Sequence, residues 1–322
     1  MRQEVKPIII GISGSKLTEP ERKLLEEHSP LGVILFARNI EKNYQDEQDK
    51  ELLIKLIADI KEVLGENSII SIDQEGGRVQ RLKEPIFYNA PPAKIFGDLA
   101  EEQGLEIAIK ACKENYAKIG RELKALGINV DFAPVGDLRY EGAHDVIGNR
   151  SFGSKPEIVL PLCIAALEGL QSVGVVGCIK HLPGHGRAKA DSHKELPHVN
   201  ASLKELEEAD FKVFKDLAAV KAAKLAMTAH IVYEELDQVN PATLSEKVIE
   251  YIRNEIGYKG SIVSDAIDMK ALTGGMKEIT QRTLEAGVDI VLECTGVFDN
   301  MIEVLGSVEK VSIDKFTDLL VA

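Results

Sequence analysis

Short apolar runs rich in β-branched residues recur along the chain, and each is bounded by turn-forming residues. Such runs are typical of strands that are buried on both faces. The pattern predicts eight strands, of which the first is the weakest: residues 8–10, 32–36, 68–72, 128–133, 175–179, 225–228, 261–263 and 289–292.

Amphipathic segments with helix-start signals separate these runs. A hydroxyl residue followed three positions later by glutamate forms a capping box, which marks the beginning of a helix. This spacing occurs at Thr18 with Glu21, at Ser154 with Glu157, and at Ser202 with Glu205. Apolar positions at helical spacing predict further helices over residues 52–64, 107–126, 248–256 and 279–286.

Strands and helices alternate along the whole sequence, without a linker, a low-complexity tract or a short repeat. Alternation of this kind predicts a mainly parallel sheet with right-handed crossovers. Eight units favour an α/β fold of the closed (β/α)8, or TIM, barrel type, with residues 1–322 as a single domain. Two doubly wound sheets are the structural alternative.

Ionisable side chains follow nearly every predicted strand, whereas glycines precede several of them. The residues after the strands are Arg38, Asn39, Asp73, Gln74, Glu75, Pro134, Asp137, Lys180, His181, His230, Asp265 and Glu293. Because barrel enzymes carry their chemistry on the loops after the strands, this asymmetry indicates one active face. Asp265 ends an apolar strand, where a carboxylate is unfavourable unless it is paired with another group or has a functional role.

The stretch 180–198 holds four of the seven histidines, together with two prolines and two glycines. This composition predicts a loop, and neither a helix nor a buried strand. Because the ordinary pKa of histidine lies near neutrality, histidine suits proton transfer or metal binding. The loop is therefore a candidate catalytic element.

Composition and charge exclude several functional classes. With 52 acidic and 39 basic residues the net charge is −13, and no basic patch offsets it, so no nucleic-acid partner is expected. The four cysteines form no CxxC pair, which predicts neither a disulfide nor a zinc site. The apolar run 7–12 is too short for a signal peptide or a membrane span, so we expect a cytoplasmic protein without a membrane partner. No glycine motif for a nucleotide is present, and no cofactor is expected.

Four motifs together resemble glycoside hydrolase family 3, most closely its β-N-acetylhexosaminidases of the NagZ type. They are residues 73–81, residues 149–153, residues 180–186 with Asp191-Ser192-His193, and Ser264-Asp265, and they keep the order and spacing of the family. The resemblance implies a single-domain (β/α)8 barrel, without a second family-3 domain, that acts without a metal or cofactor.

The resemblance also implies the roles of individual residues. It makes Asp265 the nucleophile of a retaining mechanism and His193 the general acid/base, held and charged by Asp191. Most retaining glycosidases use a second carboxylate instead of a histidine. Sugar-binding positions fall on Asp73, Arg81, Arg150, Lys180 and His181, while His230 is expected to line the pocket and His185 to be structural.

The implied partner is a small carbohydrate substrate, a muropeptide or a chitooligosaccharide with a terminal β-linked N-acetylglucosamine (GlcNAc). A monomer is favoured. Two features depart from the family pattern. Ala266 stands where an acidic residue usually follows the nucleophile, and Arg187 and Lys189 make the catalytic loop basic. The basic loop motivates the hypothesis of an anionic aglycone. The two catalytic roles predict a bell-shaped pH profile, with the acidic limb set by Asp265 and the basic limb by His193.

Three alternatives remain open on the sequence alone. A metal-dependent barrel hydrolase could use His181, His185, His193, His230 and Asp265, although a His-x-His after the first strand and an HExxH motif are absent. A non-catalytic sugar-binding protein would be expected to have lost the acid/base pair, but both of its members, Asp191 and His193, are present. Within the family, a histidine acid/base is also associated with phosphorolysis, in which phosphate replaces water as the acceptor.

Overall fold

Eight parallel strands close into a barrel in the computed structural model, which describes residues 2–40 and 47–320. The strands of the described residues, inside and outside the barrel, are β1 (Glu4–Gly11), β2 (Pro30–Leu35), β3 (Ile69–Ile72), β4 (Gln74–Gly76), β5 (Val79–Gln80), β6 (Val130–Asp131), β7 (Val176–Leu182), β8 (His198–Val199), β9 (Leu225–Thr228), β10 (Val232–Tyr233), β11 (Ser261–Ala266), β12 (Ile290–Glu293) and β13 (Val311–Ser312). The barrel order is β1, β2, β3, β6, β7, β9, β11 and β12, and β12 closes on β1 where Ile8 pairs with Val291. The prediction of a (β/α)8 barrel is confirmed.

Helices follow the barrel strands and cover the outside of the barrel. They are α1 (Glu19–His28), α2 (Glu47–Leu64), α3 (Lys94–Gln103), α4 (Leu105–Leu126), α5 (Pro156–Gln171), α6 (Leu203–Glu208), α7 (Asp210–Ala218), α8 (Glu246–Asn254), α9 (Met276–Glu285), α10 (Phe298–Gly306) and α11 (Thr317–Leu320). Within the two described ranges, no helix combines the length and the apolar composition needed to cross a bilayer.

The predicted capping boxes are confirmed at two of the three positions. Thr18 and Ser202 each accept a hydrogen bond from the backbone N–H three residues on, and the glutamate there accepts one from the backbone N–H of the cap residue. The prediction at Ser154 is wrong, because α5 begins one residue later, with Lys155 as its N-cap and Pro156 in its first turn. Proline suits that place because it has no N–H to leave unpaired.

Alternate residues of the strands pack inside the barrel, in a cluster that includes Ile9, Ile34, Met227 and Leu292. Because helices bury the outer face as well, the strands read as continuous apolar runs. Phe316 and other side chains after β13 pack against the same cluster. All four cysteines are buried free thiols.

Strand β7 extends farther than the composition predicts. It includes Lys180, His181 and Leu182, which the composition assigns to a loop, and all three are buried. The loop prediction is wrong here because a cation can be buried when carboxylates meet it, and Lys180 pairs with Asp73 and Glu75. The same stretch ends in the two-residue strand β8, which pairs with β10.

Candidate active site

A cavity of about 400 Å³ opens where the barrel strands end. Parallel strands place their carboxyl ends on one rim, so residues far apart in sequence meet there. The cavity brings together most of the predicted site residues: Asp73, Arg150, Lys180, His181, His193 and Asp265 all line it. Arg81, Asp191 and His230 are not among its lining residues.

A cluster of buried ion pairs forms part of the cavity wall. Lys180 Nζ lies 3.0 Å from Asp73 Oδ1 and 2.6 Å from Glu75 Oε1. Arg81 Nη2 lies 2.9 Å from the other oxygen of Asp73. Arg150 forks onto Glu75, with its Nε and Nη2 each 2.8 Å from a carboxylate oxygen. The cluster therefore offers fixed donors and acceptors to a ligand rich in hydroxyl groups.

The charges within this cluster stabilise one another. Burial by itself would raise the pKa of Asp73 and of Glu75, but the cations around them outweigh burial and hold both pKa values below their ordinary range. Burial would lower the pKa of Lys180, yet the two carboxylates keep it above its ordinary value. All three groups are therefore ionised near neutral pH.

Glu75 is a site residue that the family motifs do not assign. It lies on β4, which forms a hairpin with β5 through Gly76 and Gly77, whose φ angles are 96° and 57°. These left-handed angles favour glycine, and a Cβ at Gly76 would meet the carbonyl oxygen of Pro91 at 2.3 Å. The hairpin turns Glu75 inward onto Arg150. Its position directly after an apolar strand was the available sequence signal.

Asp137 fixes the orientation of His181. Its Oδ2 lies 2.6 Å from His181 Nδ1, and its Oδ1 accepts the backbone N–H groups of His181 and His185 at 3.1 and 2.6 Å. Burial would raise the pKa of Asp137, but its histidine partners hold it below the ordinary value. His185, expected to be structural, also lines the cavity and packs edge-on against His181, with ring centroids 5.3 Å apart.

Asp265 lies near the end of β11 and lines the cavity. The backbone N–H of Ala266 donates to its Oδ1 at 2.7 Å. Burial would raise the pKa of Asp265, but its neighbours His230 and His181, together with this hydrogen bond, hold it below its ordinary value. Asp265 is therefore a half-buried, ionised carboxylate that faces the cavity, which is the state that a nucleophile requires.

Asp268 is a second acid close to Asp265 in the sequence. The next residue, Ala266, brings no acid, but Asp268 lines the same cavity and accepts the backbone N–H of Cys294 at 3.1 Å.

The expectation that His230 lines the pocket is wrong. Its Nδ1 lies 2.7 Å from Thr243 Oγ1 and its Nε2 lies 2.9 Å from the Ala266 carbonyl oxygen, so the ring is held behind the cavity wall.

Asp191 and His193 form a hydrogen-bonded pair at the rim of the cavity. His193 Nδ1 lies 2.9 Å from Asp191 Oδ1, which also accepts the backbone N–H of His193 at 3.0 Å. Burial would raise the pKa of Asp191, but these two hydrogen bonds hold it below its ordinary value. The His193 side chain is 63% exposed. With Nδ1 held by a carboxylate, Nε2 is the nitrogen left for proton transfer.

Arg187, which motivates the hypothesis of an anionic aglycone, is used within the fold. Its Nε donates to Asp210 Oδ2 at 2.6 Å, and its guanidinium lies 4.4 Å from the centroid of the Tyr140 ring. Tyr140 Oη donates to the same oxygen at 2.8 Å. These contacts tie the start of the loop to α7 and favour an anchoring role for Arg187 over aglycone recognition.

Most residues of the alternative metal set line the cavity, but within the described residues they form no metal-binding group. Across residues 2–40 and 47–320, no group of three or more His, Cys, Asp or Glu side chains is arranged to hold a metal ion. Both ring nitrogens of His230 are engaged, and Nδ1 of His181 and of His193 each faces a carboxylate. This geometry suits proton transfer and hydrogen bonding better than metal ligation.

The chain matches a known family over nearly its whole length. The family profile described as "Glycosyl hydrolase family 3 N terminal domain" matches residues 3–318. The beta-hexosaminidase of Neisseria meningitidis serogroup A is 40% identical over 291 residues, which are 89% of this chain and 78% of that protein. The beta-hexosaminidase of Bordetella avium is 35% identical over 321 residues, which are 98% of this chain and 88% of that protein.

Solved structures agree with the sequence matches. NagZ from Neisseria gonorrhoeae in complex with N-trifluoroacetyl-D-glucosamine is 35% identical with a TM-score of 0.89, covering 99% of this chain and 91% of that one. The family 3 β-N-acetylglucosaminidase from Paenibacillus sp. is 31% identical with a TM-score of 0.84, covering 98% and 59%. The resemblance predicted from the four motifs is confirmed. The chain belongs to glycoside hydrolase family 3 and is an enzyme of its β-N-acetylhexosaminidase group.

Proposed function

We propose that this enzyme hydrolyses terminal β-linked GlcNAc from muropeptides or chitooligosaccharides in the cytoplasm, with retention of anomeric configuration. The observation that carries the proposal is the pairing of an ionised Asp265, which lines the cavity, with an Asp191–His193 dyad at the rim of the same cavity. The names of the relatives, beta-hexosaminidase and NagZ, support an N-acetylhexosamine as the sugar. The preference for peptidoglycan fragments rests on the resemblance to enzymes of the NagZ type.

The ion-pair cluster binds the sugar in this proposal. Asp73 accepts hydrogen bonds from ring hydroxyls, while Lys180 and Arg150 donate to them. The partners within the cluster already hold these groups in place, so little ordering is required when the sugar binds. Arg81 lies behind Asp73 and orients its carboxylate.

In the first chemical step Asp265 attacks the anomeric carbon while His193 Nε2 donates a proton to the glycosidic oxygen. The bond between the anomeric carbon and that oxygen breaks, the aglycone leaves as an alcohol, and an ester to Asp265 forms. Asp191 stabilises the charged form of His193 before the proton is transferred. Neutral imidazole remains at the rim.

In the second step neutral His193 accepts a proton from water as the water oxygen attacks the anomeric carbon. The ester bond breaks, Asp265 regains its negative charge, and GlcNAc is released with its original configuration. A histidine suits this second step because its neutral form does not repel an approaching nucleophile. Phosphate in place of water would give the 1-phosphate, so the product distinguishes hydrolysis from phosphorolysis.

The role of His193 predicts a dependence on the leaving group. His193→Ala is expected to lower kcat/KM by roughly 10²- to 10⁴-fold for aryl N-acetyl-β-glucosaminides with weakly acidic phenols. For the 2,4-dinitrophenyl substrate kcat/KM should fall much less, since dinitrophenolate departs without a proton. Release of the phenol measures both rates, and proton NMR of the first product identifies its anomer. An equal loss across the series would contradict the role.

The pKa of Asp265 predicts the acidic limb of the pH profile. Asp265 must be ionised to attack, and its pKa lies below the ordinary value, so activity should persist as the pH falls to about 3.9, the usual pKa of aspartate. The measurement is kcat/KM against pH for the p-nitrophenyl substrate, with circular dichroism at each pH to confirm that the protein is folded. A midpoint of the acidic limb above about pH 5 in folded enzyme would assign that limb to another group.

A further inference from the structure

The acid/base dyad is not tied to the barrel by its own side chains. Asp191 bonds to His193, and its second oxygen lies 3.5 Å from Lys194 Nζ on the same turn. Within the described part of the chain, the polar contacts of the two side chains stay inside this turn. Because the His193 ring is largely exposed, little packing holds it either. Another residue must place the dyad against the cavity.

Ser192 lies between the two members of the dyad and is 2% exposed. Its Oγ lies 3.3 Å from His185 Nε2, and its carbonyl oxygen accepts the backbone N–H of Ala271 at 3.1 Å. His185 lies on the segment that follows β7, whereas Ala271 lies on the segment that follows β11 and Asp265. Ser192 therefore joins the dyad turn to the beginning of its own loop, at His185, and to the segment after β11, at Ala271.

His185 is a firm partner for this contact. Its backbone N–H is held by Asp137 at 2.6 Å, and its ring packs edge-on against His181. Its Nδ1 is buried and has no hydrogen-bond partner among the described residues. Burial lowers the pKa of His185 to about 4, so the ring is neutral near pH 7. A serine hydroxyl donates or accepts as needed, so it fits either tautomer of a neutral ring.

We propose that Ser192 is a positioning residue, which keeps His193 Nε2 within reach of the glycosidic oxygen by fastening the dyad turn to His185 and Ala271. The proposal rests on the acid/base role of His193 in the proposed function. Small displacements of a catalytic group lower rates steeply, whereas binding of the sugar by the ion-pair cluster does not depend on this turn.

The test compares Ser192→Ala with His193→Ala over the same series of aryl N-acetyl-β-glucosaminides. We expect Ser192→Ala to lower kcat/KM by about 10-fold or more for weakly acidic phenols and by less than about 2-fold for 2,4-dinitrophenol. In the His193→Ala background, Ser192→Ala should add less than about 2-fold, since it acts through the histidine. Ser192→Thr, which keeps the hydroxyl, should recover most of the loss.

Ser68→Ala is the matched control. Like Ser192, Ser68 is a buried serine with a hydrogen-bonded hydroxyl. Its Oγ donates to the Gly65 carbonyl oxygen at 2.8 Å, and it precedes β3, on the opposite rim of the barrel. This variant should leave the leaving-group dependence unchanged. If Ser192→Ala is too unstable to assay, Ser192→Cys, of similar volume but with a weaker donor, replaces it and should show the same selective loss.

The outcomes separate the two proposals. An equal loss for all leaving groups in the Ser192 variants, or a full additional loss in the His193→Ala background, overturns the positioning role of Ser192. The acid/base role of His193 still stands in that case, provided that His193→Ala alone keeps its leaving-group dependence. If His193→Ala shows no such dependence, the proposed function and the role of Ser192 both fail.

Discussion

Asp265→Ala is expected to lower kcat/KM for p-nitrophenyl N-acetyl-β-glucosaminide by at least about 10⁴-fold, because loss of a nucleophile closes the covalent route. The carboxylate lines the cavity, and its lowered pKa keeps it ionised. Asp268, the other acid after β11 that lines the cavity, already accepts the backbone N–H of Cys294. Release of p-nitrophenol measures the loss, with thermal unfolding as a check on stability.

Azide distinguishes a nucleophile from a residue that only binds the sugar. In Asp265→Ala, azide can enter the space left by the carboxylate. It would attack the anomeric carbon from the side that Asp265 uses, opposite p-nitrophenolate, and give the α-glycosyl azide. Asp268→Ala is the matched control, and we expect less than about a 10-fold loss and no azide effect. Near wild-type activity of Asp265→Ala, or a β-glycosyl azide as the rescue product, would contradict the assignment.

The barrel could be predicted from the sequence because its strands are buried on both faces. Strand β9 matches its predicted range, and most other strands match to within a few residues. The N-terminal strand β1 is eight residues long, whereas only three were predicted. The prediction was too short because Lys6 lies in the strand and interrupts the apolar pattern. Lys6 keeps its charge satisfied by donating to the Leu305 carbonyl oxygen. Helix α3 was missed, since no side-chain cap marks its beginning.

The site was harder to predict than the fold because its charges compensate one another across the barrel. Composition treats Lys180 as a loop residue, and nothing local shows that Asp73, 107 positions earlier, will meet it. Motifs gave the predicted catalytic residues but not the residues that orient them. Glu75 and Asp137 carry no sequence signal beyond following a strand. His230 fits a family pattern, yet its contacts with Thr243 and Ala266 place it behind the cavity wall.

Lys180→Met is expected to lower the free energy of unfolding by about 3–5 kcal/mol at pH 7, the range found when one partner of a buried ion pair is removed. The Lys180 side chain is 2% exposed and compensates two carboxylates, the buried Glu75 and the largely buried Asp73. Urea unfolding followed by circular dichroism measures the change. Lys113→Met is the matched control, because Lys113 pairs with Glu168 at 2.7 Å but both side chains are 48% exposed, so less than about 1 kcal/mol should be lost.

The pH dependence of this loss identifies its cause. The pKa values of Asp73 and Glu75 are held below their ordinary values, so their ionisation stabilises the wild type above about pH 4, and this contribution disappears as the pH falls through the lowered pKa values. Without Lys180 both pKa values should rise, and the carboxylates can take up protons at higher pH. The stability difference between the variant and the wild type should therefore be largest near neutral pH and narrow on acidification. A difference that stays constant from pH 7 to the acid transition would attribute the loss to packing of the lysine stem and not to the charges that hold the sugar-binding wall together.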